Sequence, residues 1–426
     1  MNRTLAVGAM LAIVLALVGG SAAPIRGAEP AEIVVGSILP LTGGLATTGQ
    51  GLKLAQELAR DLINGRQAYP LLMAGKDGLP NLGHAKLKII FADSQGSPDQ
   101  AKTVAEQLIT QDHVVALLGT YASATTATAS QVAERYGIPF VNPDSSSPTL
   151  HTRGFKTFFR TTPHDATFSE NLFEFMSDVL KKQKKPPVHK LAIVYENTLF
   201  GTGAADAEEA IAKRDGYDVA LRLPYGANSS ELQSEVQKIK AAGGEVIFQS
   251  SYLNDALLFM KTYKQQSVSP QAIIAQDAGF IDPNFVKNLG KDADYIFTRD
   301  VFSLNLKAKN KAVPAINDLF KARSPGGNNL DGNTARDFTA VFVLADAINR
   351  ARSTKPEEII KALAATNIKG SDTIMPWRGI KFDEHGQNTL GNGLVEQIQN
   401  GIYETVWPFD VATKPAIWPM PPWDKR

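Results

Sequence analysis

Cysteine is absent from all 426 residues. That excludes disulfide staples, thiolate metal centres and a lipid-bearing cysteine near the start. An excess of one charge is also lacking: 44 basic and 43 acidic residues leave a formal +1. No electrostatic footprint for nucleic acid or an anionic membrane surface can be read from that balance. The six histidines, at 84, 113, 151, 164, 189 and 385, show no paired metal-ligand spacing. There is no P-loop and no Gly-x-Ser-x-Gly elbow. Gly201-Thr202-Gly203-Ala204-Ala205-Asp206 comes nearest to a dinucleotide fingerprint, but Asp206 stands where the third glycine belongs. Long apolar runs are lacking as well, with one exception. Leu5 to Val18 follows Arg3 and precedes the small residues Gly19 to Ala23. At roughly 14 residues this run is short of the ~20 that a spanning helix needs. It reads as a secretory signal peptide over residues 1–28, cleaved between Ala22 and Ala28, which predicts an exported, periplasmic protein.

What is present is a rhythm of strand, loop and helix. Ile33 to Leu39, Leu87 to Ala92, Val114 to Leu118 and Ile138 to Asn142 read as strands. Between them, Gly49 to Ile63, Asp99 to Thr110 and Thr125 to Tyr136 read as helices. Short Val/Ile/Leu runs alternating with helices imply parallel sheets covered on both faces. The rhythm restarts after Thr161-Thr162-Pro163 and runs through strands at 190–195, 217–223, 245–249 and 271–275. Two such series exceed one comfortable sheet, so the fold class is α/β with two doubly wound, Rossmann-like lobes. The tail adds helices near 314–323, 335–351 and 356–365, then a hairpin about Asn400-Gly401. Leu71 to His84 reads as a surface insertion. Lys181 to Lys185 reads as a solvated helix end.

Ligands of open α/β sheets bind beyond the carboxyl ends of strands. Four loops occupy such places: Leu39 to Gly44, Gly119 to Thr126, Asn142 to Pro148 and Ala275 to Gly279. The second opens a helix, whose free amides and partial positive charge suit a carboxylate. Plain capping by Ser123 or Thr125 is the simpler alternative there. Asp277 is either a turn residue or the counter-charge for a cationic group. No constellation of acid, base and nucleophile picks itself out, which favours a binding protein over an enzyme.

The combination of Ile33 to Gly44 (IVVGSILPLTGG), the Ser123 loop, Ile138 to Gly154 (IPFVNPDSSSPTLHTRG), Phe159 to Pro163 and Leu191 to Gly203 (LAIVYENTLFGTG) resembles the leucine/isoleucine/valine-binding proteins. These are type I periplasmic substrate-binding proteins of ABC transporters. The resemblance implies two lobes joined by three crossings, here near Thr162, Val301 and Trp377. The first lobe would then hold 32–162 with 302–376, and the second 163–301 with 377–426. It implies a non-enzymatic, cofactor-free monomer that closes on a small ligand and is read by a membrane permease. Ser123 matches the family's carboxylate-binding serine. Asp144 and Ser146 match positions that hold the ligand's amino group and carboxylate, and Asp277 an acid that pairs with the amino group. Tyr252 matches a cleft tyrosine, while Thr48 and Phe200 stand where relatives often carry tyrosines lining the pocket. A branched-chain type amino acid is the ligand so implied. An aromatic or aliphatic carboxylate, or a small amide, is the alternative within the fold, and a secreted nucleotide-dependent enzyme the remote one.

Overall fold

The computed structural model describes residues 31–306 and 310–426; the apolar run and its flanks lie outside the described residues. The first series runs β1 (Glu32–Leu39), α1 (Ala46–Asn64), β2 (Lys86–Asp93), α2 (Pro98–Thr110), β3 (Leu117–Gly119), α3 (Ser123–Tyr136), β4 (Phe140–Asn142) and β5 (Phe158–Arg160). Its five strands form one sheet in the order β2-β1-β3-β4-β5, parallel throughout.

The second series runs α4 (Asp165–Gln183), β6 (Lys190–Glu196), α5 (Leu199–Asp215), β7 (Asp218–Tyr225), α6 (Gln233–Ala242), β8 (Val246–Ser250), α7 (Leu253–Gln265), β9 (Ala272–Ala275), α8 (Pro283–Leu289) and β10 (Phe297–Asp300). The remaining elements are α9 (Val313–Arg323), α10 (Gly332–Ala351), α11 (Pro356–Ala364), β11 (Asn367–Lys369), β12 (Gly379–Lys381), β13 (Leu394–Gln399) and β14 (Ile402–Trp407). The second sheet has the order β14-β13-β10-β9-β8-β6-β7. Its hairpin β13–β14 joins antiparallel, turning through Asn400 and Gly401, both at positive φ as a tight hairpin turn demands. The fold is two doubly wound lobes, as the alternation predicts.

Each lobe has its own apolar interior. In the first, Val35 packs with Ala55 and Leu58 of α1 and with Val341, Leu344 and Ile348 of α10. α10 is buried from Gly332 through Ile348, so a helix from the third stretch of chain completes the first core. In the second, Phe173 stacks on Phe248 at 4.8 Å on one face of the sheet, while Phe259 and Ile273 fill the other. Burial at roughly 25 cal/mol per Å² of apolar surface is the dominant stabilising term for both.

Two local expectations fail, each for a packing reason. Leu71, Met73, Leu79 and Leu82 are buried in the first core, so 71–84 is not a surface insertion but a covering segment. Ile380 and Phe382 also belong to that core, and β13 starts only at Leu394. The chain therefore leaves the first lobe between them rather than near Trp377. In the second lobe, α5 begins at Leu199, where the Thr198 side chain accepts from the Gly201 amide at 3.4 Å. Gly201 is there for close approach: a methyl at this position would overlap the Glu196 carbonyl. The glycines that mimic a nucleotide loop thus serve helix packing.

Candidate functional site

Both sheets direct the carboxyl ends of their strands at the gap between the lobes. On the first wall, the loop after β3 enters α3 at Ser123, with no side-chain cap on that helix. Thr125 turns away, donating to the Ala122 carbonyl at 2.7 Å. Ser123 Oγ accepts instead from the Ser147 amide at 3.3 Å, tying two loops together. The capping alternative therefore fails for both residues. Arg160, wholly buried, fixes the serine loop by donating to the carbonyls of Ser145 and Ser147 at 3.0 and 2.8 Å. Asn142 joins this loop to the next through the Gly119 carbonyl at 2.9 Å.

The second wall is aromatic and acidic. Phe200 of α5 packs on Tyr252, which precedes α7, with ring centroids 5.4 Å apart. Tyr252 in turn meets Tyr121 of the first wall at 5.5 Å, closing the gap with rings. Thr48 donates across the gap to Asp282 at 2.9 Å. The Ser146 carbonyl accepts from the Asp165 amide at 2.9 Å. Ser123, Asp144, Ser146, Asp277 and Phe200 are all buried, and Thr48 and Tyr252 partly so. The lobes stand closed upon one another; Thr48, Ser146, Tyr252 and Asp277 make contacts across the junction, and Ser123, Asp144 and Phe200 are buried within their own lobes.

The centre of the junction holds charges that the sequence reading missed. Arg336 of α10 places Nε 2.8 Å from Asp144 and Nη1 3.0 Å from Asp277. Asp277 also pairs with Arg299 of β10 and accepts from the Ala278 amide. Both guanidiniums are nearly inaccessible, at 2% and 1% side-chain exposure, so these are desolvated pairs rather than surface ones. Burial opposes the Arg336 charge, but Asp144 and Asp277 overcome it and raise its pKa. Burial raises the Asp144 carboxyl and holds Asp337 well above the carboxylate range. A signal for Arg336 does exist in the sequence. Arg336-Asp337 interrupts a stretch in which nearly every other residue from Ala335 to Ile348 suits a core, and an ionised pair in such a stretch asks for partners.

Two further buried acids set a pH dependence. Burial pushes Glu208 up to about 8 and Asp165 up to about 6. Both exceed the values of an unfolded chain, so the folded protein holds extra protons between about pH 4 and 8. Stability is then greatest where both keep their protons and falls as pH rises through that window. Urea unfolding at about pH 5.5 and 8 should show the fall, and Glu208→Gln should flatten it. An unchanged slope in the variant would remove Glu208 from the account.

A family model described as periplasmic binding protein matches residues 32–399. A Leu/Ile/Val-binding protein homolog 7 from Brucella suis is 27% identical over 398 residues, covering 91% of this chain and 94% of that protein. The isoleucine complex of the branched-chain amino acid transporter substrate binding protein LivJ from Streptococcus pneumoniae superposes with a TM-score of 0.74. It is 20% identical and covers 88% of this chain and 98% of that one. A solute binding protein of an ABC transporter from R. palustris, in complex with benzoate, gives 0.73 at 18% identity, covering 91% and 97%. With two doubly wound lobes closed over a polar and aromatic junction, and a family match that spans both of them, the chain belongs to the periplasmic binding protein family.

Proposed function

We propose that this protein is the periplasmic solute-capturing component of an ABC transporter. It encloses a small carboxylate-bearing solute between its lobes, and a membrane permease receives the closed form. The observation that carries this reading is the junction itself: one wall has the uncapped first turn of α3 at Ser123, the other has Phe200, Tyr252 and Asp277, and the Tyr121–Tyr252 and Arg336–Asp277 contacts join them. Closure removes water, so each charged hydrogen bond made inside counts for more than in an open cleft. A solute that binds only where both walls meet shifts the population toward the closed state. Ser123, Ser146, Asp144, Asp277, Phe200, Tyr252 and Thr48 are the residues assigned to the site. The names of the Brucella suis relative and the Streptococcus pneumoniae structure support an amino acid of branched-chain type. The benzoate complex supports a plain carboxylic acid.

Thermal unfolding of refolded, ligand-free protein against amino acids, aromatic and aliphatic acids and small amides is the test. Binding to the folded state raises Tm by mass action. Ser123→Ala should weaken the best hit by about 10-fold or more, the worth of a hydrogen bond to a charged group. A panel without any hit rejects the proposal. Affinity unaltered in Ser123→Ala removes that residue from the site.

A further inference from the structure

The charged groups at the junction are not evenly disposed toward a ligand that carries both a carboxylate and an amine. An ammonium needs an ionised acceptor within the gap. Asp277 is taken by two guanidiniums, Arg299 and Arg336, and by the Ala278 amide. Asp144 is ion-paired with Arg336 at 2.8 Å. Asp282 accepts from Thr48 at 2.9 Å and from the Asn284 amide at 2.8 Å. Glu196, at the mouth beside Tyr252, keeps its proton because burial pushes it up to about 8. Asp165 lies wholly inside, 3.9 Å from Arg299. Asp277 and Asp282 are thus engaged by donors of this chain, Asp144 is ion-paired with Arg336, Asp165 with Arg299, and Glu196 is neutral.

Donors are in the opposite condition. A guanidinium carries five N–H groups, and the partners of Arg336 are Asp144, Asp277 and Asn333. The first-turn amides of α3 have no intrahelical acceptor, and no side chain caps that helix. The rings of Tyr121, Tyr252 and Phe200 pack in series across the same junction. A carboxylate with an apolar body satisfies all of this. An added amine would have to push a buried arginine off its partner and then sit beside it as a like charge.

We infer that Arg336 is the specificity-determining residue of the cleft: its guanidinium holds the acids that an ammonium would use, so the site selects small monocarboxylic acids with an apolar or aromatic body and no amine. This rests on the capture function proposed above and narrows it. Isothermal titration of the refolded, ligand-free protein with leucine, with 4-methylpentanoate (leucine without its amine) and with benzoate decides it. The expected result is that one of the two acids binds at least about tenfold more tightly than leucine. Arg336→Met should reduce that acid's affinity by about tenfold and shift the preference toward leucine. Should Arg336→Met not fold, Arg336→Lys keeps a cation there and should retain the preference for the acid, and the ranking on the unaltered protein stands by itself. Leucine binding as tightly as both acids, or more tightly, overturns the inference while leaving capture intact. Silence from all three ligands together with an empty thermal panel overturns both.

Discussion

Asp277→Ala should lower the unfolding free energy by about 3–5 kcal/mol, which is the cost of breaking a buried ion pair by removing one partner. The size follows from what is left behind. Arg299 and Arg336 both lie on Asp277, and neither reaches solvent. Arg336 retains Asp144, but Arg299 keeps Asp165 at 3.9 Å, the Gln276 side chain at 3.0 Å and the face of Phe168, with no other side-chain hydrogen bond or ion pair among the described residues. Asp277→Asn, with shape kept and charge removed, should show most of the same loss. Urea denaturation at neutral pH measures it directly through the midpoint. A change below about 1 kcal/mol, the scale of an exposed pair, would mean that water reaches these guanidiniums and that the junction is not dry. A charged side chain expected to serve a ligand thus also holds the lobes together, since the Arg336–Asp277 pair joins a helix completing the first core to a loop of the second.

Gly279→Ala should cost about 1–3 kcal/mol or more, the range for inserting a carbon into a packed site, and should weaken ligand binding as well. A Cβ at Gly279 would lie 2.5 Å from both Leu253 Cα and the Tyr252 carbonyl carbon. Those are backbone atoms, so no rotamer change relieves the overlap, and the Asp277 loop must move away from the start of α7. Tyr252 and Asp277 would then part, and both face the gap. Calorimetry should show reduced affinity for whichever solute the protein takes, together with a lower Tm. A fully stable variant would mean that the two loops yield independently.

How much of this was legible beforehand differs by level. The alternation of Val/Ile/Leu runs with helices was enough for two parallel-sheet lobes, because strand and helix periodicities are local and leave their mark within ten residues. The site loops could be named from the sequence, since ligands of such sheets gather where strands end. Boundaries set by close approach were not legible. The start of α5 depends on the Thr198 cap and on Gly201 lying against the Glu196 carbonyl, and the burial of Leu71 to Leu82 depends on a core supplied from elsewhere in the chain.

By itself, then, the sequence determined the fold class and the family resemblance, and it named candidate residues for the gap. Only the tertiary structure decided the state of charge there. Arg336 and Arg299 come from α10 and β10, some sixty and twenty residues beyond Asp277, and no spacing rule joins them. Whether an aspartate is open to a ligand or already satisfied depends on which cations are packed against it in a dry interior, where an unpaired charge is too costly to persist. That is a property of the closed junction, not of any loop read alone.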